Sequence, residues 1–173
     1  MPTNQFTNFQ SQVSYVFGNF DGGEGGTTVD TTFALTDTYY DLLMEGTNRI
    51  SSDTINVDFD AKNIVFSAIG KYLVQFIYTF TGGASIEYTM KASLNGIDIE
   101  ASELTFSTRG TNVQWEVANT FMIDCAYLQP DSNRQNITGL FSSRNVLKFL
   151  VKNNNGLNAL KMTNLLYNII KID

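Results

Sequence analysis

Ile64-Val-Phe-Ser-Ala-Ile-Gly-Lys-Tyr-Leu-Val-Gln-Phe-Ile-Tyr-Thr-Phe80 decides the fold class. β-Branched and aromatic residues fill it, and one glycine, Gly70, interrupts it. Beyond Gly70, the side chains of Tyr72, Val74, Phe76, Tyr78 and Phe80 share one strand face. Leu73 and Ile77, with the less apolar Gln75 and Thr79, share the other. A strand apolar on both faces belongs deep in a layered structure. The C-terminal part has the same character: Asn145-Val-Leu-Lys-Phe-Leu-Val151, the turn Lys152-Asn-Asn-Asn-Gly156, then Leu160-Lys-Met-Thr-Asn-Leu-Leu-Tyr-Asn-Ile-Ile170. Strand, strand, turn and closing strand give an all-β sandwich.

The flanking segments extend the pattern. Thr81-Gly-Gly-Ala84 reads as a hairpin turn, and Ile86 to Leu94 returns in strict alternation. Asn95-Gly96 is a tight-turn pair, because both residues tolerate positive φ. Ile97–Ile99, Thr105–Thr108, Val113–Ala126, Val146–Val151 and Ala159–Ile170 supply further strands, with Ser132–Asn136 as a loop. Upstream, Ile55-Asn-Val-Asp-Phe59 alternates as a half-buried strand, and Tyr39–Met44 reads as another strand. Residues 1–30 are polar, with scattered Phe6, Phe9, Tyr15, Phe17 and Phe20, and Asp21-Gly-Gly-Glu-Gly-Gly26 forms a joint near their end. They read as an N-terminal arm that lies on a partner, leaving 31–173 as the sandwich. Phe6, Phe9, Tyr15, Phe17, Phe20, Asp21 and Glu24 are its expected partner-binding residues.

Composition narrows the function. The 173 residues fit one domain, and charged residues are only 16%, below the roughly 25% of an average globular chain. A net charge of −6 argues against a nucleic-acid binder acting through phosphate attraction. Residues 1–60 hold nine acids against Arg49, a net of −8, and residues 61–173 hold eight acids against ten bases, a net of +2. That asymmetry suits an acidic N-terminal part docked on a basic neighbour. Cys125 is the single cysteine, so no intrachain disulfide forms, and it reads as a small buried apolar side chain. No apolar run reaches the length of a membrane span, and Met-Pro-Thr-Asn-Gln-Phe6 has no secretory-signal pattern.

The order of motifs from Asp58 onward resembles the trimeric jelly roll of the tumour necrosis factor and complement globular-head superfamily. The resemblance rests on the strand before Gly70-Lys-Tyr72, on Leu94-Asn-Gly96 after the hairpin, and on Val146-Leu-Lys-Phe-Leu-Val-Lys-Asn153 before the last strand. It covers roughly two-thirds of the chain. There is no collagen stalk, and the aromatic-rich C-terminal closure differs from the eukaryotic heads. The remainder looks like the viral and bacteriophage version of the fold. The resemblance implies a homotrimer with aromatic and aliphatic residues along the three-fold axis, here Tyr72, Phe76, Trp115 and Tyr167.

Catalytic chemistry is sparse. Histidine is absent, which removes the usual general base and the commonest transition-metal ligand. No Gly-x-Ser-x-Gly elbow or phosphate-cradling loop occurs. Asp58 with Asp60, and Glu100 with Glu103, are the carboxylate pairs a glycosidase would need, but they read as solvated acids. Asp53, Asp58 and Asp60 lack the spacing of a calcium loop. Asn136-Ile-Thr138 reads as a turn. Trp115, flanked by Val113 and Val117 on its face, reads as core or subunit interface rather than a sugar-stacking platform.

The expected function is therefore non-enzymatic, with no cofactor, metal, nucleic acid or membrane insertion. The first reading is a trimeric capsid decoration or cement protein of a virion, made in the host cytoplasm and bound to major capsid or other virion subunits. Two alternatives accompany it. One is a receptor-binding tip that recognises host glycan or protein through loops 81–85, 95–103 and 128–136. The other is a bacterial lectin-like surface module.

Overall fold

The computed structural model describes residues 15–21, 29–43, 47–51, 55–58, 63–111, 113–126, 129–135 and 141–172. Among them are the strands β1 (Tyr15–Asp21), β2 (Val29–Thr31), β3 (Tyr40–Asp41), β4 (Thr47–Ser51), β5 (Ile55–Asp58), β6 (Asn63–Phe66) and β7 (Gly70–Thr81). They continue with β8 (Glu87–Leu94), β9 (Ile97–Ser107), β10 (Trp115–Cys125), β11 (Gln129–Gln135), β12 (Phe141–Asn153) and β13 (Leu160–Lys171), and the described residues contain no helix.

The first sheet runs β10-β7-β13-β1-β4, with β2 also on β13. The second runs β5-β6-β12-β8-β9, with β3 and β11 also on β12. The pairings nest: β8 with β9, β7 with β10, β6 with β12, and β1 with β13, all antiparallel. Successive pairs fall in alternate sheets. One long hairpin has folded across itself, and that connectivity is a jelly-roll β-sandwich.

Gly70 shows how the sequence makes the crossing. Its φ of 149° lies where a residue with a Cβ is strained, so the chain turns there from β6 into the opposite sheet. Tyr72 pins the crossing, its hydroxyl donating to the Ala68 carbonyl at 2.9 Å. Beyond it, Tyr72, Val74, Phe76, Tyr78 and Phe80 all point inward and are buried. Leu147, Phe149 and Val151 of β12 meet them from the other sheet. Phe76 and Phe149 lie with centroids 4.7 Å apart, and Phe80 packs on Phe106 at 4.9 Å, so aromatic pairs join the layers.

Asn95 (φ 53°) and Gly96 (φ 83°) form the two-residue turn of the β8–β9 hairpin, with Leu94 opposite Ile97. Two other expectations meet a different structure. Thr81–Ala84 does not close a hairpin: β7 and β8 lie in different sheets, and the Gly pair serves a crossover. A Cβ on Gly83 would meet the Asn158 side chain at 2.7 Å, so the glycines answer to close packing rather than to a hairpin. Residues 132–135 lie within β11 instead of a loop. Tyr15–Asp21, assigned to the arm, pairs along its length with Asp21↔Asn164 through Tyr15↔Ile170 of β13 and also with β4. The strand therefore lies between β13 and β4 in the first sheet. Phe6, Phe9 and Glu24 lie outside the described residues.

Candidate functional site

β7 and its neighbours determine what the outside of the first sheet offers. With Phe76, Tyr78, Phe121 and Tyr167 turned inward, the alternate side chains turn out. These are Leu73, Gln75, Ile77 and Thr79 on β7, Glu116, Ala118, Thr120 and Met122 on β10, and Asn164, Leu166, Asn168 and Ile170 on β13. The stretch from Leu73 to Ile77 and its partners carries no charge, with Glu116 beside Thr79 at one end and Asp124 beside Lys71 at the other. The register sets them in tiers: Leu73 stands between Met122 and Ile170, Gln75 between Thr120 and Asn168, and Ile77 between Ala118 and Leu166. Asn168 Nδ2 donates to Gln75 Oε1 at 3.2 Å within the middle tier. A shallow depression of about 310 Å³ lies over Ile77, Ala118 and Leu166.

The second sheet presents a different exterior. Lys91 pairs with Asp98, Lys152 with Asp37, and Lys148 Nζ with Asp41 at 3.1 Å. The ammonium of Lys91 also lies 3.9 Å from the Tyr39 ring centroid. Each exposed pair contributes little stability, but together they keep that face hydrated.

The two ends of the sandwich also differ. At one end the Asn-rich turn is spent on structure. Glu87 N–H donates to Asn155 Oδ1, Asn153 Nδ2 and the Tyr88 hydroxyl donate to the Asn158 carbonyl, and Ile86 N–H donates to Thr108 Oγ1. Thr108 Oγ1 in turn donates to the Gly83 carbonyl. At the other end, the β8–β9 turn and the end of β10 enclose an open depression of about 460 Å³. Leu94, Ile97 and Ile99 give it an apolar wall, and Asp98 and Asp124 give it carboxylates. Asn95 and the buried Asn145 form its base, where Asn95 Nδ2 donates to Asn145 Oδ1 at 2.7 Å. Asn95 is fully engaged: its Oδ1 accepts from Val146 N–H, and its own N–H donates to the Val146 carbonyl. Segments 81–85 and 95–103, grouped above as one set of ligand-binding loops, begin at opposite ends of β8.

Tyr72, Phe76 and Tyr167, which the resemblance places along a three-fold axis, are buried between the sheets of a single chain, at 0%, 4% and 5% exposure. Large rings gain most from full burial, so the opposite faces of these same strands are the ones turned to solvent. Trp115 is half-buried against the core beside Val117, and its indole N–H is buried without a partner. Of the suggested arm residues, Tyr15, Phe17, Phe20 and Asp21 lie on β1. Sequence reasoning did not identify Asp98 or Asp124 as neighbours; the two come together only through the nested hairpins. Cys125 is buried, and burial, then the nearby Asp124 carboxylate, push its thiol up to about 11. No group of three or more carboxylates or cysteines placed to hold a metal occurs among the described residues. Glu100 and Glu103 are exposed on β9; Asp58 lies on β5, and Asp53 and Asp60 fall outside the described residues.

No protein-family model and no curated protein matches this chain. Among solved structures, it is similar to the Eiger TNF of S. frugiperda, at 10% identity and a TM-score of 0.49, covering 92% of this chain and 94% of that one. It is also similar to a family 35 carbohydrate binding module from Clostridium thermocellum, at 10% identity and a TM-score of 0.36, covering 90% and 97%.

Proposed function

We propose that this chain is a non-enzymatic adhesion module that associates with its own copies as a homotrimer, and that it decorates a virion by cementing neighbouring capsid subunits. The observation that carries self-association is the uncharged band from Leu73 to Ile77 across β10, β7 and β13. Copies with a net charge of −6 repel one another, and any charged face brought against its own image adds like-charge contact. The band is the surface on which two copies meet without burying an unpaired charge. Its tiers of Leu, Ile and Met alternate with amides and hydroxyls that hydrogen-bond across an interface. The virion assignment rests on the resemblance of the motif order, and the non-enzymatic reading on a sequence without histidine.

Light scattering on the purified chain tests the association. The wild type is expected at three times the chain mass at micromolar concentration. Ile77→Glu and Leu166→Glu, both on the outer face, are expected to give folded monomers. A wild-type monomer, or trimers that survive both substitutions, refutes the band as the interface. Electron microscopy of intact particles tests the location: density over capsid subunits is expected, and density confined to a tail tip excludes the cementing role.

A further inference from the structure

We infer that residues 1–14 dock on their own chain and seat Phe6 and Phe9 over the depression between the β8–β9 turn and the end of β10. The contact lies within one chain, so a monomer makes it as a trimer does. That end of the sandwich leaves apolar side chains uncovered. Ile97 is 74% exposed at the turn tip, Ile69 is 54% exposed just before the Gly70 crossing, and Ile172 is 49% exposed just beyond β13. Leu94 and Ile99 line the depression beside Ile97. The carboxylates at the rim are already answered: Asp98 pairs with Lys91, and Asp124 stands opposite Lys71 on β7. What is left unmet there is apolar surface, which suits an uncharged apolar occupant.

The chain brings such an occupant to the same end. Tyr15, the first described residue, stands opposite Ile170, and Ile170 stands opposite Leu73. The strand β1 therefore begins at the end where Gly70 crosses, and residues 1–14 precede it there. Met-Pro-Thr-Asn-Gln-Phe-Thr-Asn-Phe-Gln-Ser-Gln-Val-Ser14 holds no Asp, Glu, Lys or Arg, so it adds no side-chain charge beside Asp98 and Asp124. Reach is sufficient. β1 and β10 are three strands apart in the first sheet, about 14 Å, and the second sheet lies about 10 Å away. The six residues from Tyr15 back to Phe9 span up to about 20 Å, and the three from Phe9 to Phe6 add about 10 Å. A ring laid on Ile97, Ile99 and Leu94 removes apolar area from water on both partners. The depression, about 460 Å³, has room for both rings. So short a tether holds them at an effective concentration on the order of millimolar.

The test is paramagnetic broadening in two-dimensional NMR of the full chain, with a nitroxide on Thr7→Cys and the buried Cys125 left unmodified. The ¹⁵N-labelled, spin-labelled chain is diluted into an excess of unlabelled chain, so only contacts within one chain are read, whatever the oligomeric state. The amides of Ile69, Asn95, Ile97 and Asp124 are expected to lose intensity, and those of Ser85 and Asn155 at the opposite end are expected to keep it. Phe6→Ser with Phe9→Ser in the labelled chain is expected to restore most of the lost intensity. A second sample mixes ¹⁵N chain without the nitroxide with spin-labelled unenriched chain and reads contacts between chains; the same amides are expected to stay sharp. Broadening found only in that mixture assigns the segment to a neighbouring copy and overturns the proposal. Equal broadening at both ends, no broadening, or broadening unchanged by the two serines overturns it as well. Light scattering reads the trimer separately, so its failure and the failure of this contact are distinguishable.

Discussion

Replacing Ser102 by alanine tests how the open side of the sandwich is held. Ser102 sits in the β9 segment that bulges between the Met90↔Leu104 and Ala92↔Ile99 pairs. Four residues of β9, 100 to 103, stand against Lys91 alone on β8, so the ladder breaks there. The Ser102 side chain repairs it: Oγ accepts from Ala92 N–H at 2.7 Å and donates to the Ile99 carbonyl at 2.6 Å. Its own carbonyl accepts from Asn119 Nδ2 at 2.8 Å, which ties β9 to β10. Ser102→Ala keeps that last bond but strands the Ala92 amide in a fully buried position. An unsatisfied buried donor costs about 1–3 kcal/mol. The Ile99 carbonyl, on a strand at the sheet edge, turns to water and adds little. For a chain of this length the loss is worth roughly 2–12 °C in Tm. Urea unfolding followed by the fluorescence of Trp115 measures it, at one fixed chain concentration because association shifts apparent stability. Ser107→Ala, exposed near the end of the same strand, is the control and is expected to stay within about 0.5 kcal/mol. A Ser102→Ala loss no larger than the control's refutes the repair.

Three further outcomes are expected. Gly96→Ala meets nothing within 4 Å but must hold φ at 83°, so it costs about 1–2 kcal/mol by backbone strain alone, measured by the same urea titration. Gly83→Ala places a Cβ 2.7 Å from Asn158 and 2.9 Å from Ile86, and differential scanning calorimetry is expected to show a loss on the order of 1–3 kcal/mol from overpacking. Alkaline pH destabilises the fold: burial pushes Tyr167 up to about 12 and, with Asp124, Cys125 up to about 11, so the unfolded chain releases these protons first. That stability is complete below about pH 9 and is lost as pH rises through 11 and 12; the urea midpoint measured from pH 8 to 12 is expected to fall, and a flat profile contradicts the burial of both groups.

The sequence carried the strands well where alternation was strong. Tyr72 to Phe80, Ile86 to Leu94 and Leu160 to Ile170 each set one face inward, and the Asn95-Gly96 turn joins the strands its chemistry requires. Sheet membership was harder to read, because a Gly pair bounded by strands looks alike in a hairpin and in a crossover. Thr81–Ala84 became a crossover once Gly70 had already sent β7 into the other layer. The first stretch of β1 lacked a recognisable core pattern because Gly18 and Asn19 interrupt it, and its place comes from pairing with β13. Which face of β7 turns outward was the least legible feature. β7 is apolar on both faces, and nothing local says whether its rings or its aliphatic side chains face outward. Burial resolves it in favour of the rings inside, since they remove the most area from water.

The positions of the acids then bear on how association stops. Among the described strands, β9 and β10 end their sheets side by side, and each presents backbone groups to solvent. Long open edges invite strand addition, which grows without closing. These two carry Asp98, Glu100 and Glu103 on β9 and Glu116 and Asp124 on β10, with no base on either strand. Two copies aligning such edges would set carboxylates against carboxylates. The repulsion opposes edge-to-edge growth, whereas the stretch from Leu73 to Ile77 on the adjoining sheet face, between Glu116 and Asp124, carries no charge. For the proposed trimer, this bias directs association to a face, where a rotation closes the assembly at a finite number of copies. Replacing Glu100, Glu103 and Glu116 by lysine in alternate copies and mixing the two forms reverses that bias: the mixture is expected to form concentration-dependent aggregates larger than a trimer, seen by light scattering, and a mixture that remains at the trimer mass refutes the role assigned to the acidic edges.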